Sequence, residues 1–526
     1  MRLSYEFITT RGMNRFVLFS LSLLLLASGG IASAGLKLPA MIGHHMVLQR
    51  DIENPIWGWA DPGADVKVVM EGQTLQAKAD EKGKWVVKLA PMKGSHYAMR
   101  MTIQSGGEQI VLSNIVVGEV WVCSGQSNMQ FAVDQAYDAD LEVATANYPN
   151  IRLITVPQTG TQEVQDDFKG QWDMCTPETV GQFSAVGYYF GRQLHETLGV
   201  PIGLIDNSWG GSAAEAWVAR DVLEADPRFA AYLDQWKTTE ATYDHEKAVA
   251  AWKVKVEEAK AAGKPAPRPL SNPLTGQHRP GNLWAGVLNP SIGYGIRGVV
   301  WYQGESNAAR AYQYDDLFSL MITEWRKAWG IGDFPFYWVQ LADFMAEKDA
   351  PGESSWAELR EAQSNTLALP NTGQAVIYDL GEGRDIHPRN KQNVGKRLAR
   401  IALARDHGVN LVYQSPSYQS MAVTENKAVL TFTNVGGGLY SFDTPDAVGF
   451  AVAGEDKVWH AAVGKIVGAD KVEVSCPEVA VPVAVRYAWA DNPVATLRNR
   501  EGLPVDPFRS DDWPLSTEPQ PVSTPQ

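Results

Sequence analysis

Residues 118–131 read "GEVWVCSGQSNMQF", an apolar segment that runs into Ser-Gly-Gln-Ser-Asn and then into residues able to form a helix. The apolar part has no alternation of polar and apolar positions. That is the pattern of a strand buried on both faces, as in a parallel sheet covered by helices. Ser127 in the turn has two readings. With Gln130 three residues later it fits a capping box, in which serine and glutamine satisfy free backbone donors at a helix start. Alternatively it is a nucleophile, held where the carboxyl end of a parallel strand leads into a helix and ligands bind.

Further segments of the same kind follow: "IRLIT", "PIGLID", "IRGVVWYQ", "FPFYWVQLA" and "GQAVIYDL". Helical stretches lie between them, such as "VGYYFGRQLHETLG", where Val186, Tyr189, Phe190, Leu194 and Leu198 recur near helical spacing. Strand-helix alternation of this kind predicts an α/β domain with a mainly parallel sheet covered on both faces. It spans 114–409, with a charged, alanine-rich and then proline-rich insertion at 222–283 read as an exposed helix and loop. Before it, 35–113 holds short alternating strands ("NPIWGWA", "ADVKVVM", "GKWVVKL", "YAMRMTIQ") separated by turns, the pattern of a β-sandwich-like region. After it, 410–513 returns to strands as a second β-sandwich-like region, and 514–526, rich in Pro, Ser and Thr, reads as a disordered tail.

The 526 residues are 45% hydrophobic and 20% charged, which is ordinary globular composition with room for several domains. A formal net charge of -14 and the lack of a Lys/Arg block argue against a nucleic-acid partner. Residues 1–34 resemble a signal peptide: Arg11 and Arg15, the apolar run "FVLFSLSLLLLA", and "ASA" at 32–34. The run is short for a membrane span, so the expectation is a secreted or periplasmic protein without membrane insertion. Three cysteines allow at most one internal disulfide, which excludes a disulfide scaffold, and Cys123 reads as a small buried hydrophobe.

Four polar clusters fall at the carboxyl ends of the predicted strands: "SGQSN" around Ser127, "NSWGG" (207–211), "QGESN" (303–307) and "GEGRDIHP" (381–388). A serine nucleophile needs a neutral base and donors for an oxyanion. His387 is the one histidine of nine placed in a strand-to-helix loop of this sheet. The positive end of the following helix would favour its neutral form. Gly210 and Gly211 offer main-chain donors, and Gln303 and Asn307 offer side-chain amides. Gln126, Trp209, Trp301 and Tyr302 are the candidates for substrate contact, with plain core packing as the alternative for the aromatics. Neither H-E-x-x-H nor paired cysteine spacing occurs, so no metal is expected, and "GQSNM" departs from the G-x-S-x-G elbow of lipases.

Taken together, "GEVWVCSGQSNMQF", "PIGLIDNSWGGSAAEAW", "GVVWYQGESNA" and "DIHPRNKQNVGKRLA", in this order, resemble the sialate O-acetylesterase family of SGNH-type hydrolases, a group also described among acetylxylan esterases. The segments beginning "MVLQRD" and "AVRYAWADNP" extend the resemblance over nearly the whole chain after residue 34. The resemblance implies an SGNH-like three-layer domain flanked by β-rich regions. It also implies removal of acetyl groups from O-acetylated sugars or glycans, with no cofactor. Ser127 takes the place of the nucleophile and His387 that of the base. In many relatives of this superfamily an Asp stands three residues before the histidine; here that position is Arg384, and Asp385 stands two before. Asp385 is the candidate acid, with its main-chain carbonyl, Glu382 or Asp379 as alternatives. A carbohydrate-binding protein with an inactive hydrolase domain is the competing reading from another class.

Overall fold

The computed structural model describes residues 35–519. The expected leader, 1–34, and the end of the expected tail, 520–526, lie outside them.

The chain is an α/β protein organised around one twisted sheet. Its strands run in the order Thr372–Ala375, Phe336–Val339, Gly298–Tyr302, Glu108–Gly125, Ile202–Asp206, Tyr148–Thr155 and Asp173–Cys175. All neighbours are parallel except the last pair, so an antiparallel edge strand makes the sheet mixed. The edge strand, "DMC", is too short and too polar to stand out in the sequence.

Burial explains the unbroken apolar runs. Val122, Ile205, Val299 and Trp301 face one core with Trp217, Phe318 and Trp325. Trp121, Cys123, Leu204, Val300 and Tyr302 face another with Tyr189, Phe190, Val394 and Leu398. Helix Tyr314–Trp329 covers the first face; helices Ala185–Leu198 and Lys391–His407 cover the second. Ala185–Leu198 starts where the Ser184 hydroxyl accepts the Gly187 N–H and stops at Gly199, whose φ of 61° suits glycine.

The long strand Glu108–Gly125 belongs to both the N-terminal β region and the central sheet, so the anticipated boundary at 113/114 falls inside one element. Its first half pairs with Ser95–Ser105. Strands Asn54–Trp59 and Lys84–Leu89 form a separate pair. Trp57, Trp85, Val66 and Val68 of this region share the core of the first sheet face.

The C-terminal region differs from the expected sandwich. Seven antiparallel strands between Ser417 and Arg509 form one sheet. Its first and last strands meet where Tyr418 stacks on Phe508, ring centroids 4.5 Å apart, giving a nearly closed barrel. A sheet that curls until its edges meet hides the unpaired groups that a sandwich must protect otherwise. Within the stretch read as a tail, Ser516 and Thr517 each give a main-chain N–H and a hydroxyl to Glu358. The insertion folds as helices Ala230–Thr242 and His245–Ala261, followed by an exposed irregular segment.

Candidate active site

Strand Glu108–Gly125 ends in a turn that only glycine fits. Gly125 has φ 135°, and a β-carbon there would stand 2.2 Å from the Tyr302 carbonyl oxygen. Ser127 follows as the first residue of the short helix Ser127–Gln130. The N-cap is Gln126, with no side-chain cap bond, so the capping-box reading of Ser127 does not hold. Gln130 does not close back on the helix start; its Oε1 accepts the Gly210 N–H at 2.7 Å.

The Ser127 hydroxyl lies 2.8 Å from His387 Nε2, a hydrogen bond across 260 residues of sequence. His387 is partly exposed, and its proton affinity is lowered, first by burial, then by the charge of Lys391, against a smaller opposing pull from Asp385. The neutral imidazole that a general base requires is therefore favoured. The cause differs from the expected helix terminus, because helix Lys391–His407 begins four residues later and brings a lysine with it.

Asp385 Oδ1 is 3.7 Å from His387 Nδ1, beyond hydrogen-bond range, while the same oxygen accepts the His387 main-chain N–H at 2.9 Å. Two of the alternatives, Asp379 and Glu382, are engaged elsewhere. Asp379 pairs with Arg397 and Arg498, and Glu382 accepts from Tyr137 and the Arg389 N–H.

Other expected site residues are not at the reacting atoms. Gln303 is fully buried, giving its amide to the Ser212 carbonyl and to Asn307 Oδ1 and accepting from the Tyr314 hydroxyl. Asn307 is likewise consumed, accepting from the Ala214 N–H and donating to Glu215. Both amides therefore hold the 212–215 loop rather than face an oxyanion. Trp301 and Tyr302 are 0% exposed, one in each core, and present no face to a sugar. Trp209 is partly exposed and leans on the first core. Gln126 is buried, its Oε1 accepting the N–H groups of Gly304 and Ser306. Gly210 lies beside the nucleophile, where a β-carbon would stand 3.4 Å from Ser127 Cβ, whereas Gly211, at φ 71°, has Gln277 as its nearest neighbour.

Ser127 and His387 open into a cleft of about 600 Å³, lined also by Gln130, Phe131, Gln135, Gln158, Gln182, Asp206 and Ser208. On the other side of Phe131 and His387 a second hollow is lined by Asp134, Asp138, Asp385 and Arg389. Gln130 and Asn128 escaped the sequence reading as site residues, although S-x-x-Q was the signal that drew attention to the turn. Among the described residues no group of three or more His, Cys, Asp or Glu is arranged to hold a metal ion. Nor is any helix there long and apolar enough to cross a membrane. The three cysteines are buried and unpaired, with burial raising the Cys123 thiol well above its ordinary range.

Comparison with known proteins gives the class. A family model described as "carbohydrate esterase, sialic acid-specific acetylesterase" matches residues 117–252 and 287–404, the central sheet with the second half of the insertion left out. A solved carbohydrate acetylesterase from Xanthomonas citri is 37% identical, with a TM-score of 0.78 over 91% of this chain and 100% of that one. The protein is thus a hydrolase of the carbohydrate esterase class. Sialate O-acetylesterases of Mus musculus and Homo sapiens are each 32% identical, covering 76% of this chain and 79% and 77% of theirs. The chain belongs to the sialic acid-specific acetylesterase family.

Proposed function

We propose that this carbohydrate acetylesterase works as a serine esterase of SGNH type, releasing acetate from O-acetylated sugars through an acetyl-Ser127 intermediate, with an O-acetylated sialic acid as the first substrate to test. The 2.8 Å bond between Ser127 Oγ and His387 Nε2 carries the reading. His387 takes the serine proton as Oγ attacks the acetyl carbonyl, then gives it to the departing sugar oxygen. Water repeats the sequence on the acetyl-serine, leaving acetate and free Ser127. The donors for the oxyanion are the main-chain N–H groups of Ser127 and Gly211. Gly210 has its N–H committed to Gln130 Oε1, and that bond leaves the Gln130 Nε2 as the side-chain amide at the cleft wall. The leader-like sequence supports action after export.

A second reading, deacetylation of a neutral polysaccharide such as xylan, is favoured by the cleft lining. Four glutamines and no Lys or Arg line the 600 Å³ cleft, whereas a sialate carboxylate is best held by a cation. Arg389 lines the neighbouring hollow, which it shares with three aspartates. Acetate release by the full protein and by Ser127→Ala, on an O-acetylated sialic acid and on acetylated xylan, tests both readings. Loss of the nucleophile is expected to lower kcat by about 10⁴–10⁶-fold. A variant that keeps its activity refutes the serine mechanism. Glycan binding without acetate release from either substrate supports the carbohydrate-binding reading instead.

A further inference from the structure

Behind the reacting pair lies a buried lysine that the mechanism above does not use. Lys391, first residue of the helix after the His387 loop, is 0% exposed. Its Nζ donates to Asn128 Oδ1 at 2.5 Å and lies 4.8 Å and 5.3 Å from the ring centres of Phe131 and Tyr302. Asn128, the neighbour of the nucleophile, spends both amide hydrogens: one on Glu305 Oε1 at 2.6 Å, the other on the Ile386 carbonyl at 3.0 Å. An ammonium on one side and a carboxylate on the other leave this amide a single orientation, with oxygen to Lys391 and nitrogen to Glu305. The same orientation makes the amide grip the carbonyl that precedes His387.

We propose that Lys391 is a positioning residue: by fixing the Asn128 amide it locks the Ile386 carbonyl, and with it the imidazole of His387, against Ser127. A neutral side chain at 391 takes the donor from the Asn128 oxygen, so the amide is held only at its nitrogen, by Glu305 and the Ile386 carbonyl, and its grip on that carbonyl slackens. The lysine also acts on His387 through its charge. The charged groups acting on Lys391 are Glu305 from the 303–307 turn and Glu382 and Asp385 from the histidine loop, all favouring the ammonium against a larger cost of burial. Burial brings Lys391 down to about 7, and the same lysine's charge is one of the causes that lower His387.

This inference rests on the serine reading, so wild type and Ser127→Ala are assayed beside Lys391→Met and Asn128→Ala for acetate release against pH. Lys391→Met is expected to lower kcat by about 10–100-fold with KM little changed. It is also expected to move the acid limb of the profile to higher pH, because a positive charge beside His387 is gone. Asn128→Ala leaves the lysine in the chain and breaks the grip, so kcat falls. A Lys391→Met protein with wild-type kcat, or with reduced kcat and an unmoved acid limb, overturns the proposal. If that variant does not fold, Asn128→Ala decides: wild-type kcat refutes the grip. Full activity in Ser127→Ala refutes the serine reading instead and is distinguishable from either result.

Discussion

Asp385→Asn measures how much this site relies on a third catalytic group. In a buried Ser-His-Asp arrangement, replacing the aspartate by asparagine costs about 10⁴ in kcat, because the imidazole then takes the wrong tautomer. Here the carboxylate is 3.7 Å from Nδ1, with the Asp385 and His387 side chains 48% and 36% exposed. At that separation two unit charges in water interact by about 1 kcal/mol, and exposed pairs retain about 0–1 kcal/mol of it. A factor of ten in rate requires about 1.4 kcal/mol, so the expected loss in kcat is no more than about fivefold. Asparagine keeps an Oδ1 to accept the His387 N–H, so the turn survives. The negative charge raises the proton affinity of His387, and its removal moves the acid limb of kcat/KM to lower pH, opposite to Lys391→Met. Both effects are read from acetate release across pH 4–9 or so on one substrate. A loss of about 10³ or more would refute the reasoning and show that Asp385 closes on the imidazole once substrate is bound.

Other perturbations separate architecture from chemistry. Gln303→Ala removes the partner of three buried groups and is expected to cost about 2–4 kcal/mol of stability in chemical denaturation, with kcat changed less than about tenfold. A loss of about 10²–10³ in kcat at unchanged stability would instead make it an oxyanion donor. Trp301→Phe, inside the aromatic core, is expected to lower the melting temperature and leave KM for any sugar substrate unchanged. Asp506 is buried against Gln340, Ser364 and Gln374, and burial raises it from 3.8 to about 6. Its proton is therefore held more tightly in the folded chain, and the stability this contributes is present below about pH 4 and lost as pH rises through about 6. Asp506→Asn is expected to lack that loss, about 3 kcal/mol, in denaturation curves taken across the window.

What the sequence made legible is what periodicity and order along the chain determine. Unbroken apolar runs identified the parallel strands, and the polar clusters after them identified the edge of the sheet where Ser127, Gly210 and His387 meet. The misplaced residues share a cause. Trp301 and Tyr302 alternate in direction, and in an open antiparallel sheet one of them would face solvent. A sheet covered on both faces buries both, and the reading that predicted the covered sheet already implied as much. Gln303 and Asn307 lie in the right loop, but which way an amide points depends on Ser212, Glu215 and Tyr314, residues far from them in sequence or in another element. The curl of the C-terminal strands into a barrel likewise depends on the Tyr418–Phe508 contact across the whole region.

The same limit hides the group placed best to control the base. Lys391 follows His387 by four residues and reads as the start of an amphipathic helix, where a lysine is ordinarily solvated. Only the fold brings Asn128 to it across 263 residues and Glu305 to Asn128 across 177. A buried ammonium is costly unless its hydrogen bonds and counter-charges are in place. The residues that meet this need are neighbours of the nucleophile in "GQSN" and of the loop glycine in "GES". Those two blocks therefore do more than present Ser127: between them they supply the surroundings in which a lysine can be buried, and that lysine bears on the position and the proton affinity of His387.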